Sequence, residues 1–207
     1  MLEAQNDPMK RRRALSFTNR KGQVYYLHAG LTKTGKRRFF VAKTVGDDAV
    51  AELPAGFEIV ESINGVVSVR RIDPAAPRIP DIDLARLRAE LAKHPHLRRH
   101  RANAVKGEII VFEPVGGLSD EMASGLMATL GLTTARIERA RPELEKRTRF
   151  TPVMRLVPLD GGQYALFRMT YRGEGGWSRW ALDRGPLEKL AATYVKHVGT
   201  ARFFELY

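Results

Sequence analysis

The sequence predicts an α+β fold: a small N-terminal antiparallel β module of two hairpins, followed by a larger α+β module with antiparallel strands and three to four helices. Three observations carry that expectation. Runs of aromatic and β-branched residues flank turn-forming glycines within the first 72 positions. Pro74, Pro77 and Pro80 then fall close together and deny the chain a regular ladder of hydrogen bonds. Beyond them, leucines at helical spacing alternate with strand-like runs. The expected organisation is therefore a basic N-terminal β module over 1–72, a proline-rich linker over 73–82 and an α+β module over 83–207.

The elements follow in order. Gln23 to His28 and Arg38 to Ala42 read as strands, joined by a loop from Gly30 to Gly35. In the second hairpin Asn64-Gly65 lies between Phe57–Ile63 and Val66–Ile72. Both residues tolerate φ > 0, so a two-residue type I′ turn is expected. That register sets Glu58 opposite Arg71 and Val60 opposite Val69. After the prolines, Asp81 or Asp83 can cap a helix carrying Leu84, Leu87 and Leu91 on one face. Glu108 to Glu113 reads as a strand. Ser119 is the expected N-cap of a helix reaching Leu130 and stopped by Gly131. Residues 133–147 read as helical, with Pro142 limiting or kinking the segment. Pro152–Leu159 and Gln163–Tyr171 form a hairpin around Asp160-Gly161-Gly162, and Trp177–Leu182 adds a strand. Gly185-Pro186 opens a helix to about His197, with Gly199 behind it, and Arg202–Tyr207 is a short docked tail. No internal repeat or low-complexity segment is visible.

Composition narrows the chemistry. Hydrophobic residues make up 43% of the 207, enough for packed cores and too many for a disordered chain. Cysteine is absent, which removes disulfides, thiolate-ligated metals and thiol nucleophiles together. No stretch approaches the length of a membrane span, and the N-terminus lacks the apolar run of a secretory signal. The expectation is a cytoplasmic protein with no membrane partner.

The charge balance points to a partner. The formal net charge is +12, an excess that concentrates anions, nucleic acid above all, around the protein. It is uneven: residues 10, 11, 12, 13, 20, 21, 33, 36, 37, 38 and 43 are Lys or Arg, with no acidic residue between Pro8 and Gly46. Lys33, Lys36, Arg37 and Arg38 crowd one hairpin, with Tyr25, Tyr26, Phe39 and Phe40 interleaved. Cations neutralise phosphates while exposed rings can stack on unpaired bases. If Tyr25, Leu27, Phe39 and Val41 share a buried face, Tyr26 and Phe40 remain for stacking. Lys10, Arg11, Arg12 and Arg13 form a basic arm ahead of the first strand, and Arg98, Arg99 and Arg101 form a second basic patch with Lys93.

Other chemistry is weighed and set aside. Gly30-Leu-Thr-Lys-Thr-Gly-Lys36 has the spacing of a phosphate-binding P-loop, but Arg37 stands where Ser or Thr must hold Mg²⁺, and a strand rather than a helix follows. His96 and His100 have i, i+4 spacing near His94, but Pro95 breaks the helix and the flanking arginines repel a divalent cation. No metal site and no cofactor are expected. His28 has no evident catalytic partner, and no serine nucleophile elbow is present. Catalytic residues stay unassigned. The leading expectation is non-catalytic binding of DNA or RNA by the N-terminal hairpin and arm. The alternatives are an enzyme acting on nucleic acid or nucleotides through a scattered site, and an adaptor whose basic face meets a protein partner or a second copy.

Overall fold

The computed structural model describes residues 14–75, 77–116, 125, 129–131, 133–170 and 176–205. The fold is α+β, and all its sheets are antiparallel. The chain divides into two compact units, Met1–Pro74 and Ala75–Tyr207. The basic arm at 10–13, most of the segment expected to form a helix from Ser119, and residues 171–175 of the glycine-rich stretch lie outside the described residues.

Among the described residues, the first unit has five strands in two sheets. β1 (Ser16–Thr18), β2 (Val24–Leu31) and β3 (Arg37–Ala42) form one, and β4 (Phe57–Glu61) and β5 (Val67–Arg71) form the other. All three hairpins in this unit close in the same way. Asn19, Thr32 and Ser62 each receive a backbone N–H bond from the glycine three positions on, Gly22, Gly35 and Gly65. Each also donates its own N–H to the carbonyl four positions on. Their side-chain oxygens accept the N–H of that same residue, at 2.8, 3.1 and 3.1 Å. The glycines have φ of 75°, 75° and 77°, the left-handed conformation that only Gly adopts without a steric cost. A polar residue, two intervening positions and a glycine therefore encode one three-residue loop three times, a five-residue recurrence too short to stand out as a sequence repeat.

This geometry corrects the second hairpin. Of Asn64 and Gly65, only Gly65 has positive φ, so the turn is a three-residue loop with a glycine bulge and not type I′. The extra loop residue slips the register by one. Glu58 faces Arg70, not Arg71, and Val69 faces Ile59, not Val60. The Ser62 hydroxyl selects this loop by holding the Val66 N–H, a bond that a two-residue turn would forgo. A two-residue turn with positive φ at both positions does occur in the second unit, at Lys106-Gly107 (52° and 79°).

The second unit is an antiparallel meander of five strands in sequential order: β6 (Arg101–Val105), β7 (Glu108–Val115), β8 (Arg149–Pro158), β9 (Gln163–Arg168) and β10 (Asp183–Pro186). Helices α1 (Asp81–Ala92) and α3 (Leu187–Tyr194) pack on it. Leu87 and Leu91 of α1 and Leu187 and Leu190 of α3 meet Ile109, Val111, Met154, Leu156 and Leu166 in one buried cluster. α2 (Thr134–Arg147) begins at Thr133, whose hydroxyl accepts the Arg136 N–H, and carries Pro142 within it. α4 (Ala201–Glu205) docks the C-terminal segment by burying Phe203 completely.

Three local expectations change here. Neither Asp81 nor Asp83 caps α1; Pro80 precedes it, and Asp83 accepts the Tyr164 hydroxyl at 2.7 Å instead. Burial, then that bond to Asp83, raises the Tyr164 pKa. Trp177–Leu182 is not a strand: Trp177 makes a single bridge to Met169, and the edge strand is Asp183–Pro186. β1 and β6 were not anticipated, the first because it is only three residues long and the second because its Arg-rich start reads as surface. Among the described residues, no helix is long and apolar enough to cross a membrane.

Candidate nucleic-acid interface

The β2–β3 hairpin places its cations by simple alternation. On one face Leu27, Ala29, Phe39 and Val41 lie together, with Tyr25 of β2 beside them. Leu27 is fully buried, and Phe39 packs edge-on against Phe57 with ring centroids 4.9 Å apart. The other face carries Tyr26, His28, Phe40 and Arg38. The third strand accompanies β2 only through Val24–Tyr26, and the segment around Asp48–Val50 bonds to Leu27 and Ala29. Past that point β2 and β3 continue as a two-stranded ribbon, on which every residue from Leu31 to Arg38 is exposed.

That ribbon is cationic and uncompensated. Lys33, Lys36, Arg37 and Arg38 make no ion pair with any described residue. Elsewhere in the unit, by contrast, Arg70 is paired with Glu58 at 2.8 Å. Four like charges on neighbouring exposed positions create a local positive field.

The rings are less open than the sequence suggests. Phe40 stacks on His28 at 5.3 Å between centroids, and the Arg38 guanidinium sits over it at 4.9 Å. Tyr26 is half-buried at the base of the ribbon. Cations, not aromatic faces, therefore occupy the exposed tip.

His28 belongs to the scaffold that holds this ribbon. It is buried, with Nδ1 2.7 Å from Asp48 Oδ1 and Nε2 3.1 Å from the Thr44 carbonyl oxygen. Gly46 is required beside it: a Cβ there would lie 2.7 Å from Asp48 Oδ1 and 3.6 Å from His28 Cε1. The P-loop-like stretch from Gly30 to Lys36 is the end of β2 and its loop, and β3 follows directly. The amides of Thr32, Gly35 and Lys36 in it are committed to closing the hairpin.

The second basic patch has a different character. Arg101 Nη1 donates to the carbonyls of Arg98 and His100, at 3.2 and 3.1 Å, and Arg99 Nη2 donates to the Gly116 carbonyl at 3.2 Å. With Arg98 they line a cleft of about 400 Å³ that also contains Glu138, Arg141 and Glu145. Lys93 is paired with Glu90. The three histidines do not converge on one point. His94 and His96 rings are 5.9 Å apart, and His94 Nε2 lies 3.7 Å from Glu90. Among the described residues no group of three or more His, Asp or Glu is arranged to hold a metal ion.

Trp177 anchors the end of the glycine-rich stretch to the second sheet. The Arg155 guanidinium lies 5.0 Å from its ring and 4.6 Å from that of Phe167. Trp180 stays largely exposed with Arg179 over it. Comparison of the chain with protein-family models, with curated proteins and with solved structures gives no match.

Proposed function

We propose that the first unit binds nucleic acid, and that it does so by presenting the β2–β3 ribbon to the phosphates of a duplex. The observation carrying this reading is the set of four exposed, unpaired cations, Lys33, Lys36, Arg37 and Arg38, on a ribbon tip without a carboxylate. A two-stranded β-ribbon fits the major groove of B-form DNA, whereas the deep, narrow major groove of A-form RNA does not admit it. The reading therefore favours duplex DNA. It assigns no base-stacking role to Tyr26 or Phe40, because stacking sites need rings open to the strand. The arm at Lys10–Arg13 joins the same unit in sequence and would add charge to the same contact.

The test is an anisotropy titration of labelled single- and double-stranded DNA and RNA at several salt concentrations. Binding by this ribbon weakens linearly in log–log form, with a slope of about −0.9 per phosphate neutralised. Duplex DNA should bind tightest. Preference for single strands would reject the groove geometry, and no binding at low salt would end the nucleic-acid reading.

A further inference from the structure

We propose that a pocket in the second unit, between α1, the turn at Pro95–Leu97 and β6, binds a phosphomonoester carried on a flat or apolar body, such as a nucleoside 5′-monophosphate. This site is separate from the ribbon and does not depend on the reading given to it.

The pocket has a volume of about 390 Å³, within the range of small-ligand sites, roughly 300–1,000 Å³. Its lining divides into two parts. Leu91, Ala92, Leu97 and Ala102 supply apolar surface, while Arg88, Arg98, Arg101 and Asn103 supply donors. Among the described residues no carboxylate lines it. Arg98 and Arg101 also line the adjoining cleft, which differs in containing Glu138 and Glu145, and there Arg141 is held by Glu138 at 3.0 Å. The guanidiniums of Arg88 and Arg101 beside an apolar floor match a ligand with an anionic end and a flat end.

The donors are positioned before any ligand arrives. Arg88 Nε donates to the Ala102 carbonyl at 3.0 Å and Nη2 lies 3.4 Å from Asn103 Oδ1. Arg101 is fixed through Nη1 alone. Each guanidinium thus keeps an Nη without a hydrogen bond to the described residues. A phosphate accepts such donors in pairs, and a guanidinium already held in place loses little freedom on binding.

His100 forms the inner wall. Its ring nitrogens are buried and reach no partner of good hydrogen-bond geometry. Burial first, then the positive neighbours His96, Arg101 and Arg99, lower its pKa to about 4, against a weaker opposing pull from the Leu97 carbonyl. The ring is consequently neutral at pH 7 and serves as flat, uncharged surface beside the cations.

Titration calorimetry with adenosine 5′-monophosphate, adenosine and inorganic phosphate tests the assignment. The monophosphate should bind, and adenosine and phosphate should each bind at least about tenfold more weakly, because each lacks one half of the match. R88Q/R101Q should weaken the monophosphate by about tenfold or more, while R141Q, in the neighbouring cleft, should not. Arg88 and Arg101 are exposed and Arg141 is half-buried, and circular dichroism checks that the variants fold. The His100 ring resonances should shift on addition of the monophosphate, which reads the pocket directly. Displacement of the monophosphate by a 5′-phosphorylated oligonucleotide, but not by its 5′-hydroxyl form, would identify a strand end as the source of the group. No displacement by either would identify a free nucleotide. Absence of binding at millimolar concentration, equal affinity for inorganic phosphate, undiminished binding by R88Q/R101Q, or an unmoved His100 ring would each overturn the proposal. None of those results bears on the ribbon.

Discussion

Two stretches of this chain carry comparable runs of basic residues and use them in different ways. On the ribbon tip, Lys33, Lys36, Arg37 and Arg38 are exposed and make no ion pair with a described residue. At 98–101, Arg99 and Arg101 donate to backbone carbonyls, and the cleft they share with Arg141 contains two glutamates. A Lys/Arg run therefore does not measure a binding surface. What matters is whether the fold brings carboxylates and carbonyls to the cations or leaves the charge for a partner. The two units differ in the same sense over histidine. His28 has an acceptor at each nitrogen, whereas the half-buried His100 hides both ring nitrogens with neither well paired.

The largest effect should come from erasing the ribbon's charge. K33Q/K36Q/R37Q/R38Q should weaken duplex DNA binding by about 100-fold or more at low salt and flatten the log–log salt slope by about 3. R99Q/R141Q should change affinity by less than about threefold. Equal losses from the two sets, measured by the same anisotropy titration, would break the distinction.

Next in size is the histidine contrast. His28→Leu leaves Asp48 and the Thr44 carbonyl unanswered, and should cost about 2 kcal/mol in denaturant unfolding. Gly46→Ala should reproduce part of that loss by pushing Asp48 off the ring.

His100 should behave in the opposite way. Its folded-state pKa, about 4, lies below the unfolded value of 6.5, so the unfolded chain binds the proton first on acidification. Its contribution to stability is complete above pH 6.5 and falls as pH drops towards 4, with a slope approaching about 1.4 kcal/mol per pH unit. His100→Leu should flatten that acid limb while leaving stability at pH 7 nearly unchanged. Unfolding curves across pH 4–7 for both proteins would decide it.

Gly35→Ala at the ribbon tip forces a side chain into the left-handed region at φ 75°, and should cost about 1 kcal/mol. DNA affinity should change little if the ribbon still forms. The smallest effect concerns register. A double-mutant cycle should give Glu58 a coupling of about 0.2–1 kcal/mol with Arg70 and none with Arg71, since only Arg70 lies opposite it.

The antiparallel hairpins, the leucine face of α1, the helix over 133–147 and the docked tail were all legible from residue order. Each rests on local chemistry: glycine where φ is positive, alternation along a strand, a 3.6-residue period on a helix. The register of β4–β5 was missed because Asn64-Gly65 suits two turn types, and a hydroxyl two residues earlier chose between them. β6 was missed because its pairing to β7 supplies what its own composition does not announce.

The candidate site divides along the same line. Sequence alone determined that the first half of the chain is cationic, that Lys33, Lys36, Arg37 and Arg38 stand together, and that thiol chemistry is absent. Only the tertiary structure decided which cations find an ion pair among the described residues, that Phe40 is taken up by His28 and Arg38, and that Arg88 and Arg101 border an apolar pocket beside His100. Charge is carried by composition, but its neutralisation depends on distances between residues far apart in sequence, such as His28 and Asp48 or Arg86 and Glu188. Those distances exist only once the chain has folded.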